Sequence, residues 1–158
     1  MDEIALRSAA EADRDLLYEV YASTRWEELT PVEWDEATKL QFLRQQFDAQ
    51  DAYYKANYRD TSYDVILVGG EPAGRLYVAR WAEELRIVDI ALLPRFRGRG
   101  VGTTLLRGLM DEADAAGKPL SIHVEVNNPA RSLYDRLGFE EAEDRGVYVL
   151  MRRPPAAS

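Results

Sequence analysis

The chain has 158 residues, no cysteine, and 28 acidic against 20 basic side chains, for a formal net charge of -8. The length suits one domain with a single core, and the lack of cysteine excludes disulfides, thiolate metal sites and any cysteine-bound covalent intermediate. The acidity argues against nucleic-acid binding, whose surface must neutralise phosphates. It leans toward cationic partners such as amines, although excess carboxylate also serves solubility alone.

No apolar run is long enough to cross a bilayer, and no charged-then-apolar leader opens the chain, so a cytoplasmic protein without a membrane partner is expected. Ile4 to Arg7 reads as a first strand. Ser8 with Glu11 has the form of a capping box, and the helix after it carries Leu16, Leu17, Val20 and Tyr21 on one face. Thr30, Pro31 and Glu33 read as a second helix start, with helix running to about Asn57. Leu40, Phe42, Leu43, Phe47, Tyr53 and Tyr54 along it read as core. Tyr63 to Val68 is a strand, Gly69-Gly70-Glu71-Pro72 a hairpin turn, and Ala73 to Arg80 the return strand. Glu83 and Glu84 mark another turn, after which Leu85 opens the third strand of an antiparallel meander.

The stretch from Leu85 to Leu106 organises the rest. An apolar strand stops at Pro94, turns through Arg97-Gly98-Arg99-Gly100-Val101-Gly102, and opens into a helix with Leu105, Leu106, Leu109 and Met110 on its buried side. Main-chain N–H groups in a helix's first turn have no partner within the helix. The glycines leave room for close approach, and the helix dipole with Arg97 and Arg99 favours an anion. A phosphate-bearing ligand is expected there. The Gly-Lys-Ser/Thr ending of a P-loop is missing, and the glycine spacing does not fit the dinucleotide fingerprint.

The helix ends at Ala116-Gly117. Leu120 to Val126 is a strand parallel to the Leu85–Leu93 strand, with the intervening helix as crossover. Period-2 alternation sets His123, Glu125 and Asn127 on one face and Ile122, Val124 and Val126 on the other. A helix from Pro129 to Gly138 follows, then a closing hairpin of Glu140 to Glu143 and Val147 to Arg152.

Two motifs carry a resemblance. Arg97, Gly100 and Gly102 stand as in the R-x-x-G-x-G/A signature of the GNAT superfamily of N-acetyltransferases. Asn127-Asn128, Ala130, Leu133-Tyr134 and Leu137-Gly138-Phe139 resemble that superfamily's second hallmark, in the right order downstream. The resemblance implies an α+β fold: a layered mixed sheet, largely antiparallel, with two central splayed parallel strands and helices on both faces. Residues 1–153 are expected to form one such domain and 154–158 a frayed tail.

The resemblance further implies acetyl-CoA as acyl donor and direct transfer to a primary amine. Leu92, Leu93, Arg97, Gly98, Arg99, Gly100, Val101, Gly102 and Thr103 would hold the pyrophosphate and the adjacent arm, with the Leu92 N–H on the thioester oxygen. Asn127 or Asn128 would bind the pantetheine amides. Tyr134 would give the departing thiolate its proton, since phenol and thiol have neighbouring pKa values.

Asp89 is a candidate general base, and some members of the family deprotonate the amine through water instead. Trp26, Glu27, Glu28, His123 and Glu125 are candidate acceptor contacts. No metal is expected. Arg86 stands where histone-type members carry a catalytic glutamate, which argues against that subclass. The acceptor is expected to be a small molecule; a protein amino group, a non-catalytic acyl-CoA sensor and a homodimer, common in the resembled family, remain open.

Overall fold

The computed structural model describes residues 3–156. Its strands are β1 (Ile4–Ser8), β2 (Thr61–Val68), β3 (Glu71–Arg80), β4 (Leu85–Leu92), β5 (Leu120–Glu125), β6 (Glu140–Arg145) and β7 (Tyr148–Arg153). The helices are α1 (Arg14–Arg25), α2 (Glu36–Asn57), α3 (Val101–Ala116) and α4 (Arg131–Arg136). The strands form one sheet in the order β1-β2-β3-β4-β5-β7-β6, antiparallel apart from the β4–β5 pair. That pair is parallel, with Leu85 opposite Leu120 and Ile87 opposite Ile122. Both strands run on beyond the shared ladder, β4 to Leu92 and β5 to Glu125. This is the mixed α+β sheet expected from the sequence.

The described residues divide into two compact units: residues 3–77 with Asp89–Val101, and Val78–Val88 with residues 102–156. In the first, α1 buries Leu17, Val20 and Tyr21 of the stripe read from the sequence, with Leu16 half-buried at its edge. Leu17 and Tyr21 pack with Leu29, Leu43, Phe47 and Val65. Arg14 bonds Asp48 at 2.5 Å and Arg44 bonds Asp15 at 3.3 Å, so α1 and α2 are also clipped by charge.

The helix starts differ from expectation. Ser8 closes β1, and a 3-10 turn (Glu11–Asp13) precedes α1. The cap is made by Asp13, whose Oδ2 accepts the Ala10 N–H at 2.8 Å. Thr30 and Pro31 lie in a turn; α2 starts at Glu36, because Asp35 offers a carboxylate to the Thr38 N–H at 2.7 Å. Of the apolar residues read as core along α2, only Leu43 and Phe47 are buried. Leu40 and Tyr53 are exposed, since a helix of this length meets the sheet along a narrow stripe.

In the second unit, α3 buries Leu106, Leu109 and Ala113, and β5 buries Ile122 and Val124. The alternation read from the sequence therefore holds along β5. The helix starts at Val101, before Gly102, and α4 is shorter than expected. Every residue of β6 is exposed. The Ala156 N–H bonds Asp114 Oδ1 at 2.9 Å, beside the Arg153–Asp114 pair, so the expected frayed tail is tied down at this point. Residues 157 and 158 lie outside the described residues.

Asp13 yields a stability test. Both its oxygens accept from Arg7 at 2.8 Å. That pair, with the Ala10 N–H, lowers its carboxyl from 3.8 to about 2. A depressed carboxyl contributes fully above its unfolded value and is lost as pH falls through the folded one. Asp13→Asn should cost about 1 kcal/mol at pH 7 after solvent screening at Arg7. The gap between variant and wild type in urea denaturation should close as pH falls from 3.8 toward 2.

Candidate active site

At the end of β4 the main chain leaves its regular pairing. The Leu93 N–H bonds Ala73 O at 2.8 Å, while Leu92 O accepts from Arg97 Nε at 2.9 Å. Arg97 Nη2 reaches Ser23 Oγ at 3.3 Å, which ties the turn to α1. Pro94–Phe96 forms a 3-10 turn whose Phe96 ring is buried, with the Arg95 and Arg99 guanidinium groups over it at 4.7 and 5.6 Å.

The chain then passes twice through the left-handed region, at Gly98 (φ 72°) and Gly100 (φ 79°), before α3 begins. A Cβ at Gly98, Gly100 or Gly102 would meet nothing within 4 Å. The main chain there is open, and the first N–H groups of a helix have no partner within it. This fits a pyrophosphate. The buried side chains of Leu93 and Val101 anchor the turn, leaving only their main-chain groups for a ligand.

Asp89 is enclosed rather than open. Its Oδ2 accepts from Arg75 Nη2 at 2.7 Å and from Tyr54 OH at 3.0 Å. Arg75 also donates to Gln50 Oε1 at 2.8 Å, and its guanidinium lies over the rings of Tyr21 and Tyr77. Arg75 is 3% exposed. Burial, with Asp89 beside it, raises the Tyr54 phenol far above its ordinary value, so Tyr54 stays a donor. The sequence reading missed Arg75, Tyr54 and Gln50. The one available signal was a lone arginine inside the apolar run of β3.

Trp26, Glu27 and Glu28 lie in an exposed 3-10 turn after α1. The Lys39 ammonium sits 5.9 Å from the Trp26 ring, and Glu28 takes Arg25 at 3.0 Å. The first unit thus brings together Asp89, Leu92, Leu93 and the Arg97–Val101 turn, with Trp26–Glu28 joined to them through α1.

The second unit holds Gly102 and Thr103 on α3, His123 and Glu125 on β5, and Asn127, Asn128 and Tyr134 around α4. Asn128 Oδ1 accepts the Ala130 N–H at 2.9 Å, a turn of the chain just before α4. Gly138 (φ 95°) ends it. The Gly138 N–H bonds Asp135 O at 3.1 Å and the Phe139 N–H bonds Tyr134 O at 3.0 Å, a Schellman pair. The Phe139 ring packs edge-on against Tyr134, with centroids 5.5 Å apart. The Leu-Gly-Phe motif is therefore the device that ends α4 and fixes the Tyr134 ring.

On β5, His123 Nδ1 lies 3.3 Å from Arg86 Nη1. Arginine only donates, so Nδ1 accepts and Nε2 carries the proton. Burial, then the Arg86 charge, lowers the His123 pKa and keeps the ring neutral. Arg86 is itself held by Ser121 Oγ at 2.7 Å and by Glu84 at 3.6 Å.

The acetyltransferase (GNAT) family model matches residues 24–139. The chain belongs to the GNAT family of acetyltransferases. Members of this family take their acyl group from acetyl-CoA. A candidate [ribosomal protein bS18]-alanine N-acetyltransferase of Bacillus subtilis is 31% identical over 150 residues, covering 91% of this chain and 85% of that protein. A mycothiol acetyltransferase of Corynebacterium glutamicum is 34% identical over 94 residues; the match takes in 58% of this chain and only 32% of that longer protein. The PaiA N-acetyltransferase of Thermoplasma acidophilum, solved with coenzyme A, shares the fold with a TM-score of 0.70 at 18% identity, covering 96% of this chain and 99% of that one.

Two tests follow from this geometry. Gly102→Val adds a branched side chain in open space on a helix, so melting should hold while acetyl-CoA affinity in calorimetry falls at least about tenfold. Gly102→Ala, which the signature admits, should keep binding. Asp89→Ala strands the Arg75 charge and should destabilise by about 3–5 kcal/mol in denaturant titration. Pairing it with Arg75→Met should recover much of that loss.

Proposed function

We propose that the chain transfers the acetyl group of acetyl-CoA directly to a primary amine on a small molecule, in the cytoplasm. The observation that carries this is the open glycine turn leading into α3, next to a β4 end whose main chain has left the ladder. Acetyl-CoA supplies an activated thioester. The N–H groups of Gly98 to Thr103 bind its pyrophosphate. Asn127 takes the pantetheine amides, since the Asn128 Oδ1 is already engaged by the Ala130 N–H. The Leu92 N–H stabilises the charge that develops on the carbonyl oxygen.

Tyr134 protonates the leaving sulfur, its ring held by Phe139. We assign Asp89 to positioning β4 rather than to base catalysis, because Arg75 and Tyr54 already occupy its Oδ2. His123 is neutral with its acceptor nitrogen in use, so the amine loses its proton to water. With no cysteine in the chain, a direct transfer needs no acyl-enzyme. No helix among the described residues is long and apolar enough to cross a membrane, in keeping with the cytoplasmic assignment.

A second reading has a specific observation behind it. The Bacillus subtilis relative aligns over 85% of its own length and is named for acetylating an alanine of ribosomal protein bS18. A protein amino group is therefore the alternative acceptor, and Trp26, Glu27 and Glu28 form the exposed surface that would meet either one.

Calorimetric titration with acetyl-CoA and with CoA should give micromolar affinity. CoA release should then follow with one class of acceptor, small amines or an alanine-starting peptide. Binding of neither CoA nor acetyl-CoA overturns the reading. Tyr134→Phe keeps the ring and its packing on Phe139. It should lower kcat about 100-fold with CoA affinity unchanged, as read by stopped-flow thiol release.

A further inference from the structure

The clearest steric anomaly in the described residues lies on β3. A Cβ built on Gly74 would stand 2.1 Å from Ala91 O and 3.0 Å from both Leu92 Cα and Leu92 Cδ2. In a regular antiparallel ladder a neighbour's carbonyl lies in the sheet plane, well clear of the side-chain direction. Here the Ala91–Leu92 peptide has rotated out of that plane and occupies the volume a side chain at residue 74 would fill. The peptide is trans, as are all those among the described residues. Its N–H therefore points opposite to its C=O. With Ala91 O over Gly74, the Leu92 N–H is aimed at the other side of the sheet.

The excursion is local. The Leu93 N–H is back on Ala73 O at 2.8 Å, and the outturned Leu92 O is taken by Arg97 Nε. One residue further along β3, Arg75 holds Asp89 at 2.7 Å. The rotated peptide thus lies between two fixed points, Asp89 and Leu93.

We propose that Gly74 is a positioning residue for acetyl transfer: the absence of a side chain at 74 lets the Ala91–Leu92 peptide turn, and this presents the Leu92 N–H to the thioester oxygen. The inference rests on the acetyl-transfer reading above. Any larger residue at 74 presses the peptide back toward the ladder and removes the donor, leaving the glycine turn that binds CoA untouched.

The test compares two ligands that differ at one oxygen: acetyl-CoA, and S-ethyl-CoA, which lacks the carbonyl. In wild type the carbonyl contact should favour acetyl-CoA about fivefold, the worth of a neutral hydrogen bond. In Gly74→Ala the preference should fall to about one, with CoA affinity kept. With an amine acceptor, kcat should drop about 100-fold with KM for acetyl-CoA little changed. Ile66→Val, a buried truncation away from β4, controls for lost stability and should keep both preference and kcat.

If Gly74→Ala does not fold, the double variant with Ala91→Gly lets the peptide swing clear and should show the same loss of preference. In the wild-type protein, hydrogen exchange should find the Leu92 amide fast and the Leu93 amide slow. A retained preference in a folded Gly74 variant, or a Leu92 amide as protected as that of Leu93, overturns the proposal. Failure of wild type to bind either ligand would instead overturn the coenzyme reading on which it rests.

Discussion

A main-chain group that leaves a β-ladder inside a protein must find another partner or face a ligand. The end of β4 is built around that requirement. The outturned groups have defined places, Leu92 O on Arg97 and Ala91 O over the bare face of Gly74, and the Leu93 N–H returns to Ala73 O. Arg97, which the sequence marks as a ligand for phosphate, first serves as a clasp on the strand it follows. Through Ser23 the same side chain ties the turn to α1.

The buried Arg75–Asp89 pair fixes the strand just upstream. Its charges are out of water, so hydrogen bonds at Arg75 Nη2 and Asp89 Oδ2 must offset the desolvation, while the buried Arg75 Nε has no partner. Gln50 and Tyr54 from α2 supply two of them, and the rings of Tyr21 and Tyr77 cover the guanidinium. The pair therefore links the helix that packs on the sheet to the strand that ends at Leu92. A solvated carboxylate could not do this, which is why Asp89 reads differently as a neighbour of Arg75 than as an isolated acid on an apolar strand.

Much of this was legible in the sequence where a single residue type carries the conformation. Gly98, Gly100 and Gly138 lie at positive φ, and the spacing of the two motifs located both the glycine turn before α3 and the end of α4. Pattern also found the strands, because alternation survives in β5. It failed at the helix starts, where several polar residues could cap and the bonds are made by Asp13 and Asp35 rather than by Ser8 and Thr30. It failed along α2, where helical spacing cannot distinguish a side chain facing the sheet from one facing water. The partners of Asp89 were out of reach, since Gln50, Tyr54 and Arg75 meet it only through the fold. Gly74 was equally silent: its role depends on a peptide seventeen residues later in the chain.

The exposed strand β6 closes one side of the sheet and carries Glu140, Glu141, Glu143 and Asp144. An open edge offers unpaired main-chain groups to any passing strand. A row of carboxylates makes such pairing costly, because the incoming chain would have to bury or neutralise them. The net negative charge of the protein is thus partly concentrated where uncontrolled strand addition would begin. The shield is electrostatic, so it weakens as salt rises. Colloidal stability at this edge is therefore a property of the solvent as much as of the fold.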